Sequence, residues 1–396
     1  MTRDREYLSF DPSSCGFPPP RVPVLPLPGR HAFHWQRQTS TKALLDAPNA
    51  RFFSRGRYAL AHAFRLSGVG PDTALLAPAY HCRTMLDPAI ALGADITLYP
   101  LQANLEPDVD ALEQLLRNKS RRHAALLVTH FFGIEQPLDA IEKLCTQYGL
   151  ALIEDCSHVL FLPSLPSTIG KRGKYAVASP YKFFPIEDGG SLWANHSAPL
   201  PKSSATTPDL IAQCKGVART LQKARRNNAD IDLTEEVGHP ISVSTDADQP
   251  KLHRRQISNT ASHQYDANVD NLAGLQVSRQ LMLHSDIERI AQRRRGNYQK
   301  WAQAIADLPN CKALFPDLAS DCVPYMFPMW IAHPEVDFFA LKRLGVPVWR
   351  WDDMAVSDCS IAMQYRTHLL HLPCHQELTM DQLQWMTRIT ASCFTD

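Results

Sequence analysis

The sequence lacks a metal-binding cysteine spacing and lacks any hydrophobic run long enough to enter a membrane. None of its ten cysteines stands in a Cys-x-x-Cys motif, and most lie in apolar or strand-like runs. Buried, reduced thiols explain this distribution better than a disulfide framework or a zinc site. The first six residues lead into no apolar run of signal-peptide length, and no stretch reaches the roughly 20 apolar residues of a membrane helix. We therefore expect no metal site and a soluble, cytoplasmic protein.

The chain also lacks an excess of charge of either sign. Lys and Arg total 41 against 40 for Asp and Glu, so the formal net charge is +1. No bulk field therefore attracts nucleic acid or an anionic membrane surface, and we expect neither as a partner. An anionic ligand must be bound by local groups. At 396 residues the chain is long enough for two domains, because single cores rarely grow beyond roughly 250–300 residues.

Composition divides the chain into three parts. Residues 1–50 are rich in proline and lack periodicity, so we predict an extended N-terminal arm. Residues 51–265 alternate strand and helix patterns, which predicts a large domain with a mostly parallel sheet. Its polar excursion at about 197–264 is either a solvated insertion or a lid or dimer-crossing arm. Residues 266–396 are predicted to form a long helix and a small C-terminal α/β domain.

The most informative pattern is an acid at the end of a strand, followed by a lysine before a glycine pair. A strand-like run ends at Asp155, and Lys182 precedes Gly189-Gly190. Pyridoxal phosphate (PLP) requires an amine that forms a Schiff base with its aldehyde and an acid beside its pyridine nitrogen. Strand-end carboxylates also cap helices or bind metals, and most lysines are solvated surface groups. The two residues in this order favour PLP as the cofactor.

Around these residues the chain resembles the DegT/StrS-type sugar aminotransferases, which are PLP enzymes of fold type I. The resemblance runs from about Phe53 to the end of the chain. Its motifs are Val128–Gly133, Leu138–Ile141, Leu152–His158, Lys182 with Asp188–Gly190, and Leu370–Asp381. It implies an α/β fold, with a large domain built on a mostly parallel seven-stranded sheet flanked by helices and a smaller C-terminal α/β domain.

The resemblance also implies a reaction and an assembly. An amino group moves from an amino acid donor, commonly glutamate, to the keto group of a keto-sugar acceptor linked to a nucleotide. The enzyme is a homodimer with its active sites at the subunit interface.

Individual residues take their expected roles from the resemblance. Lys182 matches the Schiff-base lysine, Asp155 the partner of the pyridine nitrogen, and His158 the residue that contacts the oxygen on the ring. A helix N-terminus stabilises a dianionic phosphate through its N–H groups and its dipole. The cofactor phosphate is accordingly expected to be held by Gly56, Arg57, Tyr58 and Ser179.

Two departures from the family pattern bear on the substrate. Where many members carry an aromatic residue that stacks on the PLP ring, this chain has Cys82, and either Tyr80 or His81 beside it supplies a flat ring. The family's Asn-x-Arg stretch reads Asp266-Ala-Asn268, so the arginine that usually contacts a substrate anion is missing. An alternative is therefore a PLP enzyme of the same fold that acts on a non-nucleotide carbonyl. A non-catalytic relative with a binding or regulatory role is disfavoured, because such a protein would lose its lysine first.

Three further segments are candidates for function. The predicted strand Gly345–Trp351 carries Trp349, Arg350 and Trp351, which we predict to line the acceptor pocket, with Arg350 binding a carboxylate or phosphate. Aromatic residues in a strand are, however, more often part of the core. The basic run Lys223–Arg226 is a candidate for the diphosphate of the acceptor. The run Arg293–Arg295 is expected near the end of the long helix, from about Asn268 to Trp301, where it complements the helix dipole.

Overall fold

The structure is a computed structural model of the chain. It describes residues 5–29, 50–118, 122–162, 164, 167–195, 200, 205–227, 254–258 and 260–394. Much of the predicted N-terminal arm and of the predicted polar excursion therefore lies outside the described residues. Within the described part, no helix combines the length and the apolar character needed to cross a membrane.

Seven strands form the central sheet. After β1 (Arg5–Ser9), which belongs to another sheet, they are β2 (Ala50–Phe53), β3 (Ala74–Pro78), β4 (Asp95–Tyr99), β5 (His123–Thr129), β6 (Ala151–Asp155), β7 (Tyr175–Ala178) and β8 (Gly190–Ala194). Their order across the sheet is β2-β8-β7-β6-β5-β3-β4. The strands from β3 to β7 pair in parallel, whereas β8 is antiparallel to β7 and β2. The predicted mostly parallel seven-stranded sheet is confirmed.

Four helices follow the strands of this sheet as the sequence pattern predicts. They are α1 (Gly56–Leu66), α2 (Arg83–Ala91), α3 (Val109–Arg117) and α4 (Asp139–Tyr148). The side chain of Asp108 accepts a hydrogen bond from Ala111 N–H and begins α3, and Gly149 ends α4 in the left-handed conformation. The apolar run from residue 125 to 128 is buried because helices cover both faces of the sheet.

The C-terminal part contains a separate antiparallel sheet. Two elements precede this part of the chain, α5 (Leu210–Asn227) and β9 (Arg254–Ser258). The C-terminal part itself consists of α6 (Gln276–Leu283), α7 (Ile287–Ile305), β10 (Cys311–Ala313), β11 (Met326–Ile331), α8 (Asp337–Arg343), β12 (Met354–Ala355), α9 (Ser360–His368), β13 (Leu369–Pro373) and α10 (Met380–Ser392). The sheet order is β10-β11-β13. The prediction of a strand at Gly345–Trp351 is wrong. This segment forms only an isolated β-bridge, between Trp349 and His371. Pro347 has no N–H for a ladder, and Gly345 lies at a φ of 79°.

The single long helix predicted from about Asn268 to Trp301 is two helices. α6 ends at Leu283, and the Asp286 side chain accepts a hydrogen bond from Arg289 N–H to begin α7. Asp286 is an N-cap residue and therefore favours the start of a new helix. The break was not predicted, because the apolar periodicity continues on both sides of it. Arg293–Arg295 consequently lies in the middle of α7 rather than near its end.

The N-terminal segment is partly a strand. β1 pairs antiparallel with β9 on one side and with β12 on the other. Tyr7 in β1 is fully buried, with the guanidinium of Arg83 3.5 Å from the centroid of its ring. The partners of β1 lie about 250 and 350 residues further along the chain, so local periodicity could not reveal this pairing.

Buried histidines make the fold sensitive to acid. Burial lowers the pKa values of His81, His371 and His375 to about 3. His81 Nδ1–H donates to the Ala79 carbonyl, and its Nε2 accepts Ala355 N–H, so the ring has no place for a second proton. The unfolded chain protonates these rings below about pH 6.5 and then binds more protons than the folded chain. Stability is therefore present above that pH and is lost as the pH falls from about 6.5 towards 3.

We expect acidification to about pH 5 to lower the free energy of unfolding by about 2 kcal/mol for each such histidine. Denaturant titrations at about pH 7.5 and about pH 5 measure this difference. His81→Asn should show a smaller pH dependence than the wild type. His333→Asn is the matched control, because His333 is 57% exposed, and it should retain the wild-type dependence. Equal pH dependence in the two variants would show that His81 is not held neutral.

Candidate active site

A cleft lies where the carboxyl ends of β6 and β7 meet the N-terminus of α1. In open α/β sheets, ligands bind at such strand ends. Among the residues that line the cleft are six of the predicted site residues, namely Gly56, Arg57, Asp155, His158, Ser179 and Lys182. Side chains that are up to 126 positions apart in the sequence thus surround one space.

Asp155 is the last residue of β6, and its side chain enters the cleft from the strand end. It is 3% exposed. Its Oδ1 accepts a hydrogen bond from Ser157 N–H at 2.9 Å, which fixes the carboxylate where the chain turns away from the sheet. A parallel central strand has to end at a loop on this edge, so the position of Asp155 follows directly from the strand register.

His158 is buried, and burial lowers its pKa well below 6.5, with smaller effects of the same sign from Lys182 and His371. Its ring is therefore neutral. Phe132 N–H donates to His158 Nδ1 at 3.2 Å, so the single ring proton must be on Nε2. The ring also stacks on Tyr325, with 4.4 Å between centroids. His158 is a hydrogen-bond donor of fixed orientation.

The turn that holds His158 is strained. Phe132 has a φ of 57°, and a bulky residue in this region costs about 1–3 kcal/mol. A Cβ on the next residue, Gly133, would lie 2.6 Å from Val323 O and 2.9 Å from His158 O. The motif Phe131-Phe-Gly133 thus brings the Phe132 amide against His158 in a way that only glycine at 133 permits.

Lys182 ends a short 3₁₀ turn, Pro180–Lys182, and its Nζ lies 5.1 Å from the centroid of the Tyr325 ring. Arg294 holds the backbone of this turn, because its Nη2–H donates to the Lys182 carbonyl at 2.8 Å. The same guanidinium donates to the carbonyls of Pro324 and Tyr325 and to Gln376. Burial lowers the pKa of Arg294 to about 10. The central residue of the arginine run thus connects the lysine turn to the C-terminal part.

Gly56 and Ser179 make the closest approach in the cleft. A Cβ at Gly56 would lie 1.9 Å from Ser179 Oγ, so the hydroxyl lies directly against the first turn of α1. The side chain of the N-cap residue, Arg55, forms no capping hydrogen bond, and the amides that begin a helix lack the preceding carbonyls that would accept from them. Ser179 Oγ donates to Ser157 Oγ at 3.0 Å. Two hydroxyls and a helix N-terminus therefore meet at one end of the cleft, an arrangement suited to a phosphate.

The structure places three of the predicted cofactor residues away from the cleft lining. The Tyr58 ring packs on Tyr265, and Tyr58 N–H donates to the Arg55 carbonyl within the first turn of α1. The Tyr80 hydroxyl is 2.9 Å from His371 Nε2 in the core. His81 is held by the backbone of Ala79 and Ala355.

Two of the predicted substrate residues also point elsewhere. Arg350 is buried, its Nε–H donates to Asp352 Oδ1 at 2.7 Å, and its guanidinium lies 3.6 Å from the centroid of the Phe338 ring. Trp349 is 53% exposed. Neither is among the residues that line the cleft. Asp352 neutralises the charge of Arg350. The predicted strand gave no indication of this contact.

Of the three residues predicted to line the acceptor pocket, Trp351 is the one that lines the cleft, together with Cys82 and Thr84. Trp351 packs on Tyr80 and on His158, with centroid distances of 4.7 Å and 5.8 Å. The aromatic surface expected from residues 80–82 is thus supplied from the C-terminal part of the chain. Only tertiary packing brings Trp351 to this position.

A cluster of metal-ligand types lies next to the cleft, on the other face of β6. His130, Glu154 and Cys156 have ligand atoms within 4.8 Å of one another. The Glu154 carboxylate, however, accepts hydrogen bonds from His130 and from the amides of residues 170, 172 and 173. These bonds occupy both oxygens and, against its burial, hold the pKa of Glu154 below its usual value. The cluster fastens the loop before β7.

The mostly parallel seven-stranded sheet flanked by helices has the architecture known as fold type I. Residues 38–203 match the model of the DegT/DnrJ/EryC1/StrS aminotransferase family.

Several known proteins are similar to the chain. It is 29% identical over 115 residues to 3-amino-5-hydroxybenzoate synthase of Amycolatopsis mediterranei (strain S699), covering 28% of each chain. It is 23% identical over 239 residues to GDP-perosamine synthase of Vibrio cholerae, covering 52% of this chain and 63% of that protein. These matches span less than two thirds of either relative. The structure of Helicobacter pylori PseC, an aminotransferase of pseudaminic acid biosynthesis, superposes with a TM-score of 0.62 at 15% identity, over 89% of each chain.

The cofactor of this family is PLP, and the residues of the cleft fit it. Lys182 and Asp155 supply the amine and the acid. His158 and Trp351 supply flat rings, and the first turn of α1 with the Ser157 and Ser179 hydroxyls supplies hydrogen-bond donors suited to the phosphate.

Proposed function

We propose that this protein is a PLP-dependent aminotransferase that moves an amino group from an amino acid, glutamate, to the keto group of a nucleotide-linked sugar. The observation that carries the proposal is the meeting of Lys182, Asp155 and His158 around one cleft beside the phosphate-binding turn of α1. The relatives named as GDP-perosamine synthase and as a UDP-sugar transaminase support a nucleotide-sugar acceptor. Such a product serves surface-polysaccharide or secondary-metabolite biosynthesis.

Each cleft residue has a distinct part in this reaction. When bound, PLP supplies an aldehyde for the amino group and a ring that stabilises negative charge on the neighbouring carbon. Lys182 Nζ would hold the cofactor and carry a proton to and from the substrate carbon. The Asp155 carboxylate favours a proton on the ring nitrogen. His158 would offer its Nε2–H to an oxygen of the bound cofactor, in the orientation fixed by Phe132 N–H.

A second candidate is amino transfer to a carbonyl compound that carries no nucleotide. Asn268 stands where the resemblance places an anion-binding arginine, and its side chain donates to Asp266 Oδ1 on the surface. Similarity to 3-amino-5-hydroxybenzoate synthase, whose name includes no nucleotide, is consistent with this candidate. The proposed assembly is a homodimer in both cases. We also propose that residues 51–265 form the large cofactor-binding domain and that residues 266–396 form the small C-terminal domain.

The experiment that separates the candidates is a panel of acceptors. The purified protein with PLP and glutamate is incubated with UDP- and GDP-linked keto-sugars and with free keto-sugars, and the products are analysed by mass spectrometry. We expect an aminated product only from the nucleotide-linked compounds. Amination of the free compounds alone would establish the second candidate, and consumption of no glutamate with any acceptor would refute an aminotransferase.

A further inference from the structure

Two arginines flank the glycine that opens α1, and both line the cleft. Arg55 is the N-cap residue and Arg57 is the second residue of the helix, with Gly56 between them. Each is only partly buried, so each guanidinium can reach a ligand in the cleft. Together with Lys182 they make this end of the cleft positive.

Neutral groups hold the two arginines in place. Arg55 Nη1–H donates to the Glu187 carbonyl at 2.9 Å, and its guanidinium lies 5.7 Å from the centroid of the Tyr181 ring, itself part of the cleft lining. Arg57 Nη1–H donates to the Gln264 carbonyl. A carbonyl positions a guanidinium without cancelling its charge.

Acids near these arginines are occupied by other groups. Among the described residues, neither arginine forms a salt bridge within 4.0 Å; the carboxylate of Glu187 instead pairs with Lys223 at 2.7 Å. The Asp188 carboxylate accepts hydrogen bonds from Leu275 N–H and from the Ser278 hydroxyl. Arg55 acts on Asp188 only from beyond ion-pair distance, where it opposes the rise in the Asp188 pKa that burial causes. The positive charge of both arginines therefore adds to that of a helix N-terminus.

We infer that Arg55 and Arg57 form an oxyanion-binding pair in the active-site cleft, for a phosphate or a carboxylate group. A guanidinium binds either group through two parallel N–H donors, and such charge-assisted bonds are roughly twice as strong as neutral ones. Two ligands of the cleft carry such a group: the phosphate of PLP and the anionic part of a substrate. The inference rests on the proposed function, and it adds side-chain contacts to a site otherwise made of amides and hydroxyls.

The test compares Arg55→Gln and Arg57→Gln with the wild type, using three probes on the full chain. The probes are PLP, pyridoxal, which lacks the phosphate, and glutarate, a dicarboxylate that competes with glutamate. If the pair holds the cofactor, the Kd for PLP should rise about 10- to 100-fold while that for pyridoxal stays the same. If the pair holds the substrate, PLP affinity should stay the same and the inhibition constant of glutarate should rise by a similar factor, with reduced dependence on salt.

Further variants serve as controls. Arg55→Lys and Arg57→Lys should recover part of the lost affinity, because they keep the charge. Arg55→Ser and Arg57→Thr provide a second pair of substitutions if a glutamine variant fails to fold. Arg117→Gln removes an exposed arginine on α3, 68% exposed in its side chain, and should bind all probes normally.

The inference is overturned if both glutamine variants bind all three probes like Arg117→Gln. Wild-type protein that binds PLP and transfers amino groups in the same series shows that the proposed function survives such a result. Wild-type protein that binds no PLP would instead refute the proposed function itself.

Discussion

Lys182→Ala is expected to abolish amino transfer while leaving the fold and the binding of PLP largely intact. The side chain supplies the amine that holds the cofactor and carries the proton, and no other lysine lines the cleft among the described residues. We expect the turnover rate to fall by about 10⁴-fold or more. Binding should become reversible, so that dialysis removes PLP from the variant but not from the wild type.

Steady-state turnover and dialysis measure the two effects separately. Lys171→Ala is the matched control, because Lys171 is exposed and its Nζ–H donates to the Ser167 carbonyl outside the cleft. This control should behave as the wild type. Turnover of Lys182→Ala within tenfold of the wild type would show that another group performs the chemistry.

Asp155→Asn is expected to lower turnover by about 10²- to 10³-fold, the usual cost of losing one preorganised electrostatic contact. The amide keeps the size of the side chain and an oxygen that accepts Ser157 N–H, so folding and most of the PLP affinity should persist. The amide cannot stabilise a proton on the ring nitrogen by charge, which weakens the ring's capacity to accept electrons.

Turnover and the absorbance spectrum of bound PLP, recorded across pH, distinguish a chemical from a structural role. Asp139→Asn is a suitable control. Asp139 is the first residue of α4, its side chain is 85% exposed, and it pairs with Arg172. An Asp155→Asn enzyme with nearly normal turnover would mean that the carboxylate only supports the loop after β6.

The sequence predicted those features that local pattern determines. A continuous apolar run defines β5, and the strand-end position of Asp155 follows from the strand that precedes it. The sequence also allowed prediction of Lys182, His158 and Ser179, because these residues lie within short motifs close to the strands. Each of these predictions depends on the few residues around it.

Features that depend on distant partners were not predictable in the same way. Arg294 reaches the Lys182 carbonyl across 112 positions of sequence. Arg350 has the right chemistry for an anion but is neutralised by Asp352, a contact that requires the folded turn. The break before α7 is an exception, because Asp286 could have indicated a helix start from the sequence alone. It was missed because the apolar periodicity on both sides favoured one continuous helix.

Borohydride reduction of the PLP-loaded wild type, followed by peptide mapping, tests the identity of the cofactor-bearing residue most directly. Reduction makes the bond between cofactor and protein permanent. The visible absorbance band should disappear, and the mass of the reduced cofactor should be found on the peptide that contains Lys182. Attachment to a different lysine, or no attachment at all, would contradict the proposed site.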